Sequence, residues 1–548
     1  MAAEYVVAID IGTQSTRAAL VDDRGQITDI ATAPVGLSAP QPGWAEQDPE
    51  QWWQTTVANL AAITARHPAA RVAAVAVGAQ MHSLVAVDPA GRPLTARSAI
   101  WSDKRCLGQV REFSRRPDCE PLSVLAGNRP LPAWAGFKMA WLRAAVPDAY
   151  AAAASLLVAK DFVNLRLCGT AATDPSEASG TFLCDAGTGQ WSPALLAALG
   201  ISRAKLPDIA GPATVIGTVR PAVARCTGLA AGTPVVAGSG DMMCQLLGAG
   251  LTVPGRVGLV AGTASIVAAA AAAASPDPRV MNLRSASGTW IHFGISDAAG
   301  TAFRWFADQL AGPAAPAGAG NGEQARGSGP DRDRDQAGDT DPAGDRGPAA
   351  VFDDLTRQAA QIGAGSAGLR FFPYLLGERT LGSPLSRASF IGATLGHGRA
   401  HFARAVLEGI TFEDRRALDA ICPADPGRAG RGGRRDAGPG GTEPVRCCGG
   451  GARSAVWNQI RAGIFGRPVL TLDCAESGIL GAAILAGVGA GWYPDAAAGA
   501  DQVIRAAGRW EPEPSDAAAY QAAFGDFCAA HDVLQELWPD WGDGPAPS

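Results

Sequence analysis

An α/β fold built as two similar lobes facing one another across a cleft is what this sequence predicts. Three observations predict it. Apolar, strand-like runs alternate with helical stretches along most of the chain. A strand–turn–strand unit with Gly-Thr at its tip occurs twice, at Gly12-Thr13 and at Gly262-Thr263. The chain has 548 residues and 47% apolar content, enough for more than one domain (roughly three by length alone) and for an ample core.

The elements follow in order. Tyr5–Asp10 is a compact apolar strand. Arg17–Val21 and Gln26–Thr32 continue it as a meander around the turn residues Asp22-Asp23-Arg24-Gly25. Asp48-Pro49-Glu50-Gln51 opens a helix, with Asp as N-cap, Pro at the first helical position and Gln three residues on. Val72–Gly78 and Thr233–Gly238 are buried-strand runs, and Met242–Leu247 is a helix after the second of them. Val257–Val260 and Ile266–Ala270 form the second hairpin. Val445–Cys448 is a strand that feeds three glycines and a helix over Ala452–Ile464.

Composition narrows the function. Charged residues make up 18%, and the net charge of −6 argues against wrapping nucleic acid or coating an anionic membrane. Lysine is confined to Lys104, Lys138, Lys160 and Lys205. Gly258–Ala274 is too rich in Ala and Gly for a membrane span and fits a buried strand–turn–strand. The amino terminus has no basic stretch before an apolar one, so no secretory signal is expected. Eleven cysteines without a CxxC pair suit a reduced, cytoplasmic protein. Residues 311–350 and 424–441 are Ala-, Gly-, Pro-, Asp- and Arg-rich, and are expected to be disordered insertions.

Several clusters could carry chemistry. In Asp10-Ile11-Gly12-Thr13-Gln14-Ser15-Thr16-Arg17, a tight glycine turn, hydroxyl donors and an arginine can cradle phosphate, with Asp10 able to hold a hydrated Mg²⁺. The same residues also fit an ordinary hairpin turn. No Gly-Lys pair exists, which excludes a Walker A loop. Gly449-Gly450-Gly451-Ala452-Arg453-Ser454 lets a ligand approach backbone and helix start, or simply packs a strand tightly on a helix. Asp241 follows a strand and Gly238-Ser239-Gly240. It can accept a proton from a hydroxyl attacking phosphorus, or merely cap the next helix. His82 after Gln80-Met81, and Asp103 in Trp101-Ser102-Asp103, could line a polyol site. His397 and His401 lack a third ligand, so zinc is not expected.

In order along the chain, these motifs resemble the FGGY carbohydrate kinases, most of all their xylulokinase branch. The further marks are Trp44 through Trp53, Lys160-Asp161-Phe162, Asp174 through Gly180, and Pro373 through Thr380. The resemblance spans nearly the whole chain outside the insertions. It implies two ribonuclease-H-like lobes of the actin, hexokinase and Hsp70 kind, with an amino-terminal lobe over 1–243 and a carboxy-terminal, nucleotide-binding lobe over 244–548. It also implies transfer of the γ-phosphate of ATP, with Mg²⁺, to a ketose, D-xylulose giving D-xylulose 5-phosphate.

By the same resemblance Asp241 is the general base and Asp10 the carboxylate that holds the metal through water. Met81, His82 and Asp103 meet the sugar. Gly12, Thr13, Arg17, Gly262, Thr263, Gly300, Arg304, Gly450, Gly451 and Ala455 meet ATP. A cytoplasmic enzyme without nucleic-acid or membrane partners is implied, and a homodimer is left open. Met242 stands where that branch usually carries Asn, and Leu381 and Ser83 also depart from it. Another pentulose, a hexulose or a polyol therefore stays open as substrate, as does a non-catalytic sugar or nucleotide sensor on the same fold. An Hsp70-like chaperone would need a peptide-binding domain after the second lobe.

Overall fold

The computed structural model describes residues 4–68, 70–310, 348–377, 386–422 and 443–538. Of the two low-complexity segments only 348–350 fall among them, and these open the helix Pro348–Ala359. Glu378 through Leu381 also lie outside the described residues.

Two seven-stranded sheets organise the chain. The first uses β1 (Glu4–Ile11), β2 (Ser15–Val21), β3 (Ile27–Pro34), β4 (Arg71–Ala79), β5 (Val215–Thr218), β6 (Pro234–Val236) and the short β7 (Ser239–Gly240), in the order β5-β6-β4-β1-β2-β3 with β7 beside β4. The second uses β8 (Val257–Ala261), β9 (Ser265–Ala271), β10 (Met281–Arg284), β11 (Trp290–Ser296), β12 (Val445–Cys448), β13 (Val469–Leu472) and β14 (Ala506–Trp510), in the order β10-β11-β9-β8-β12-β13-β14. The two orders correspond. In each, an antiparallel three-strand meander is followed by two strands parallel to its first strand and then by an antiparallel edge. The expected repeat of the Gly-Thr hairpin is thus a repeat of six strands of each sheet, to which the first adds β7 and the second β10.

Both faces of the first sheet are covered, which is why its strands are almost continuously apolar. Val7, Ile9, Val75 and Val77 point to one side, against Trp52, Leu60 and Ile63 of α1 (Pro49–Arg66) and Phe162 and Val163 of α2 (Ala159–Cys168). Val6, Ala8, Ala74 and Ala76 point to the other, into a core shared with α3 (Asp241–Gly248) and α7 (Ser477–Gly489); between these two, besides Pro348–Ala359, come α4 (Ala299–Gln309), α5 (Arg399–Ile421) and α6 (Ala455–Phe465). α5 covers one face of the second sheet at β9 and β11.

The α3–α7 crossing depends on absent side chains. A Cβ on Gly248 would lie 2.0 Å from the Ser477 carbonyl oxygen, and one on Gly481 would lie 1.9 Å from that of Cys244. A helix from the carboxy-terminal half is thereby set directly onto the amino-terminal sheet. Farther out, Asn128 and Asn282 exchange hydrogen bonds between side chain and backbone at 2.8 and 2.9 Å, docking β10 on the first lobe.

Three local expectations change. Asp48 caps α1 by accepting the Glu50 N–H at 2.9 Å, but Gln51 does not reach back to the cap. Its amide oxygen instead accepts the Gly36 N–H just past β3. The Thr233–Gly238 run breaks at Ala237-Gly238, where Gly238 has φ +72° and a Cβ would strike the Val77 carbonyl, and pairing resumes at Ser239. The helix expected from Ala452 starts at Ala455, because Ser454 supplies the cap by accepting the Trp457 N–H and the glycines before it form a 3-10 turn. Gly258–Ala274 is a strand–turn–strand, and no helix among the described residues is long and apolar enough to cross a membrane.

Candidate active site

Strand register builds the site. Asp10 pairs with Gly78 on one side of β4, and Ser239 pairs with Gly78 on the other. One step on, Ile11 and Gly240 both pair with Ala79. Asp10, opposite Gly78 on one side of β4, and Asp241, the second residue after Ser239 on the other, therefore lie at the same end of the sheet across the width of one strand. Asp241 is the first residue of α3, so it is not the N-cap; Gly240 holds that place. The Asp241 Oδ1 accepts the Met242 N–H at 2.7 Å.

The two half-buried carboxyls share one electrostatic problem. Asp241 is pushed up to about 7 by loss of solvent and then by the charge of Asp10, against the pull of the Met242 N–H. Asp10 is pushed up to about 6 by burial, lowered by Arg17 and raised by Glu476. Crowded carboxyls whose environments spread their proton affinities around neutrality are what base chemistry at pH 7 needs.

Met81 and His82 join them. Met81 is buried against Gly240, where a Cβ would meet its side chain at 2.4 Å. His82 takes φ +64°, a left-handed conformation rare outside glycine, and its ring stands edge-on to Trp134 at 5.1 Å. Strain of that kind is held in place by its surroundings. Here Gly180 makes room for the ring, and Glu177 accepts the His82 N–H at 3.4 Å.

Asp103 is not brought to this place as a ligand. It is fully buried, and each oxygen accepts two hydrogen bonds: the Arg105 N–H and Nε on Oδ1, the Ala45 N–H and an Arg105 terminal nitrogen on Oδ2. Arg105 lies over the Trp44 ring at 3.7 Å and also reaches Glu46 at 2.6 Å. The carboxylate is saturated inside this aromatic and ionic cluster, with no lone pair left for a sugar hydroxyl.

The first bend is tighter than a cradle of free donors would be. The Gly12 N–H donates to the Ser15 carbonyl at 2.9 Å, and the Thr13 hydroxyl receives the Trp101 Nε1–H at 3.1 Å. The Thr13 carbonyl accepts the Gln47 amide at 2.7 Å. Arg17, at the start of β2, forms an ion pair with Glu476 across the two halves of the chain.

The second bend assembles the other set. The Gly262 N–H closes onto the Ala264 carbonyl. Gly300 lies against it so closely that a Cβ would come 2.5 Å from the Gly262 oxygen, and the Thr301 N–H bonds the Thr263 carbonyl at 3.1 Å. Gly449 and Gly451 pack on Ala261, the residue before the bend. Gly262, Thr263, Gly300, Gly450 and Gly451 thus converge at one end of β8. Arg304 is exposed a turn further along α4, and Ala455 is exposed at the start of α6.

Three residues not singled out by sequence hold these parts. Arg461 donates to the Gly451 carbonyl at 2.9 Å and stacks on Trp457 at 4.1 Å. Glu476 anchors Arg17. Ser176 supports the strand end before Asp241, although it lay within the Asp174–Gly180 motif. His397 and His401 pack ring to ring at 5.2 Å, and no group of three or more metal-binding side chains occurs among the described residues.

Paired sheets of one design, each with a Gly-Thr bend beside a carboxylate pair or a glycine run, are matched by known proteins. The FGGY family of carbohydrate kinases matches through its N-terminal domain over residues 5–248 and its C-terminal domain over 257–490. The chain belongs to this family and is a carbohydrate kinase. It is 28% identical to the xylulose kinase of Bacillus subtilis over 532 residues, covering 95% of each chain. It is 27% identical to the gluconokinase of the same organism over 484 residues, 88% of this chain and 86% of the other. The crystal structure of xylulose kinase from Rhodospirillum rubrum superposes with a TM-score of 0.80 at 29% identity, covering 97% of this chain and 99% of that one.

Proposed function

We propose that this kinase phosphorylates D-xylulose with ATP to give D-xylulose 5-phosphate in the cytoplasm, with Asp241 as general base. One observation carries the reading. Asp10, and Asp241 directly after Gly240, lie across β4 from one another at the end of the amino-terminal sheet, beside Met81 and His82, with proton affinities raised to about 6 and about 7. The similarity to xylulose kinases along almost the full length supports the choice of sugar. Residues 1–243 supply the sugar and first phosphate contacts, and 244–548 the nucleotide contacts.

Asp241 accepts the proton of the attacking hydroxyl, a contribution of typically 10²–10⁴-fold. Met81 and His82 orient the sugar beside it. Arg17 meets the phosphates from the first bend. Thr263, Gly300, Gly450 and Gly451 take the nucleotide where side chains are absent, and Arg304 and Ala455 flank it. Two crowded carboxyls, with the nearby arginine already paired to Glu476, fit a divalent cation. Asp10 would hold Mg²⁺ through water, and the ion supplies charge neutralisation on the phosphoryl oxygens. Much of the acceleration comes from alignment and exclusion of water.

A second reading keeps the reaction and changes the sugar. Met242, directly after the base, is buried and offers a thioether in place of a hydrogen-bond donor. A site without that donor tolerates a different hydroxyl pattern, as in another pentulose, a hexulose or a polyol. ADP release from the full chain, with a panel of ketoses, polyols and sugar acids, tests both. D-Xylulose is expected to give the highest kcat/KM. A better substrate elsewhere in the panel replaces the sugar, and no sugar-stimulated release overturns the kinase in favour of a sensor.

A further inference from the structure

The stretch that delivers Asp241 is held by a buried charged network. Lys160 and Asp174 are fully buried. The Lys160 ammonium lies 2.6 Å from Asp161, 3.4 Å from Asp174 and 3.0 Å from the Ala237 carbonyl, which also accepts the Asn164 amide at 2.8 Å. Asp174 Oδ2 accepts both the Ser176 and Ser239 hydroxyls, at 2.6 and 3.0 Å, and the two hydroxyls lie 2.8 Å apart. The Ser176 oxygen in turn receives the Gly240 N–H at 3.2 Å.

Ala237, Ser239 and Gly240, three of the four residues before Asp241, are thus held by Lys160, Asn164, Asp174 and Ser176. They need holding, since the strand breaks at Gly238 and only two residues pair with β4 afterwards. A buried ion pair is weak evidence for stability, because desolvation offsets most of the attraction. What it fixes is geometry. The Asp174–Ser176 turn also reaches the other half of the chain, because Ser179 at its end receives the Arg284 N–H of β10 at 3.0 Å.

We infer that Asp174 and Ser176 are positioning residues for Asp241, setting the angle at which its carboxylate meets the substrate hydroxyl. This rests on Asp241 being the base. Displacing a reacting group by about 1 Å can cost on the order of 10²-fold in rate. Removal of the Ser176 hydroxyl releases the Gly240 N–H and one partner of Asp174 while leaving the ion pair in place.

The test uses the full chain and three variants: Ser176→Ala, Ser239→Ala and Asp241→Asn. Each serine variant is expected to lower kcat roughly 10- to 100-fold, leaving the KM for ATP within about twofold and the melting temperature within about 2 °C. A merely structural role moves the melting temperature and leaves kcat of the folded fraction unchanged, and that result overturns the inference. If Asp241→Asn is inactive while both serine variants turn over normally, the positioning role alone fails. If Asp241→Asn itself turns over normally, the base assignment fails and takes the positioning role with it.

Discussion

Arg17 and Glu476, 459 residues apart in sequence, form an ion pair that joins the strand after the first Gly-Thr bend to the start of α7. Each side chain is about one-third exposed, at 35% and 38%, so solvent screens the pair and its worth to stability is small. Its consequences are local. The guanidinium that is proposed to meet ATP is already engaged by a carboxylate, and the same carboxylate raises the proton affinity of Asp10.

Glu476→Gln therefore has two expected effects. Arg17 becomes available to phosphate, and the KM for ATP falls roughly two- to fivefold, the size of a partly exposed ion pair. Asp10 loses a repulsive neighbour, so the acid limb of the kcat/KM profile moves to lower pH. Steady-state kinetics between pH 5 and 9 check both effects. A higher KM with an unmoved limb would mean that Glu476 orients Arg17 toward the nucleotide instead of competing for it.

The carboxyl pair sets stability against activity. Asp241 and Asp10 are raised from an ordinary 3.8 to about 7 and about 6. A carboxyl with a raised folded-state value stabilises the fold fully below its unfolded value, and that contribution is lost as pH rises through the folded one. The window is about pH 4 to 7, and the two groups titrate as a coupled pair. Catalysis runs the other way, since a base must be ionised. kcat/KM is expected to fall as pH drops below about 7. Asp241→Asn is expected to be inactive yet to raise the melting temperature at pH 8 by on the order of 2 °C, the gain shrinking toward pH 4. Thermal melts across that range decide it, and a gain that grows toward acid would reverse the assignment.

Much of this was legible in the sequence, for physical reasons. Strands buried on both faces are nearly continuous apolar runs, so Tyr5–Asp10 and Val257–Val260 announce themselves, and Gly-Thr marks each tip. Asp241 is legible as a carboxylate at a strand end. Contacts between distant segments are not. Nothing local in Asp174–Gly180 says that Ser176 meets Gly240, or that Glu476 meets Arg17. The Gly12 N–H illustrates a related limit: a turn that exposes such a group and one that folds it inward, as Gly12 does onto Ser15, have the same composition.

Asp103 shows the same limit and yields a prediction. A carboxylate beside Trp101 suits a sugar site by residue type, yet its four acceptor positions are taken by Arg105 and Ala45. Asp103→Asn strips the buried Arg105 of one of two carboxylate partners, Glu46 being the other. Breaking a buried pair from one side costs about 3–5 kcal/mol. Chemical denaturation is expected to show a loss near the lower end of that range, with the KM for sugar unchanged in the folded enzyme. A raised sugar KM without lost stability would return Asp103 to the substrate pocket.

Gly300 and Gly450 separate the structural from the nucleotide role of the glycines. At Gly300 a new methyl would meet the Gly262 oxygen at 2.5 Å and the Thr263 Cα at 3.5 Å, both backbone, so the second bend must shift. Forced overpacking of this kind costs typically 1–3 kcal/mol. Gly300→Ala is expected to lose that much stability and to weaken ATP binding at the same time. At Gly450 nothing lies within 4 Å of the new carbon, so Gly450→Ala leaves the fold intact. Any loss of ATP affinity there reports the ligand directly. Calorimetric titration with ATP, beside thermal melts, is expected to show both losses for Gly300→Ala and only the affinity loss for Gly450→Ala. An unchanged affinity at Gly450 would move the nucleotide away from the glycine run.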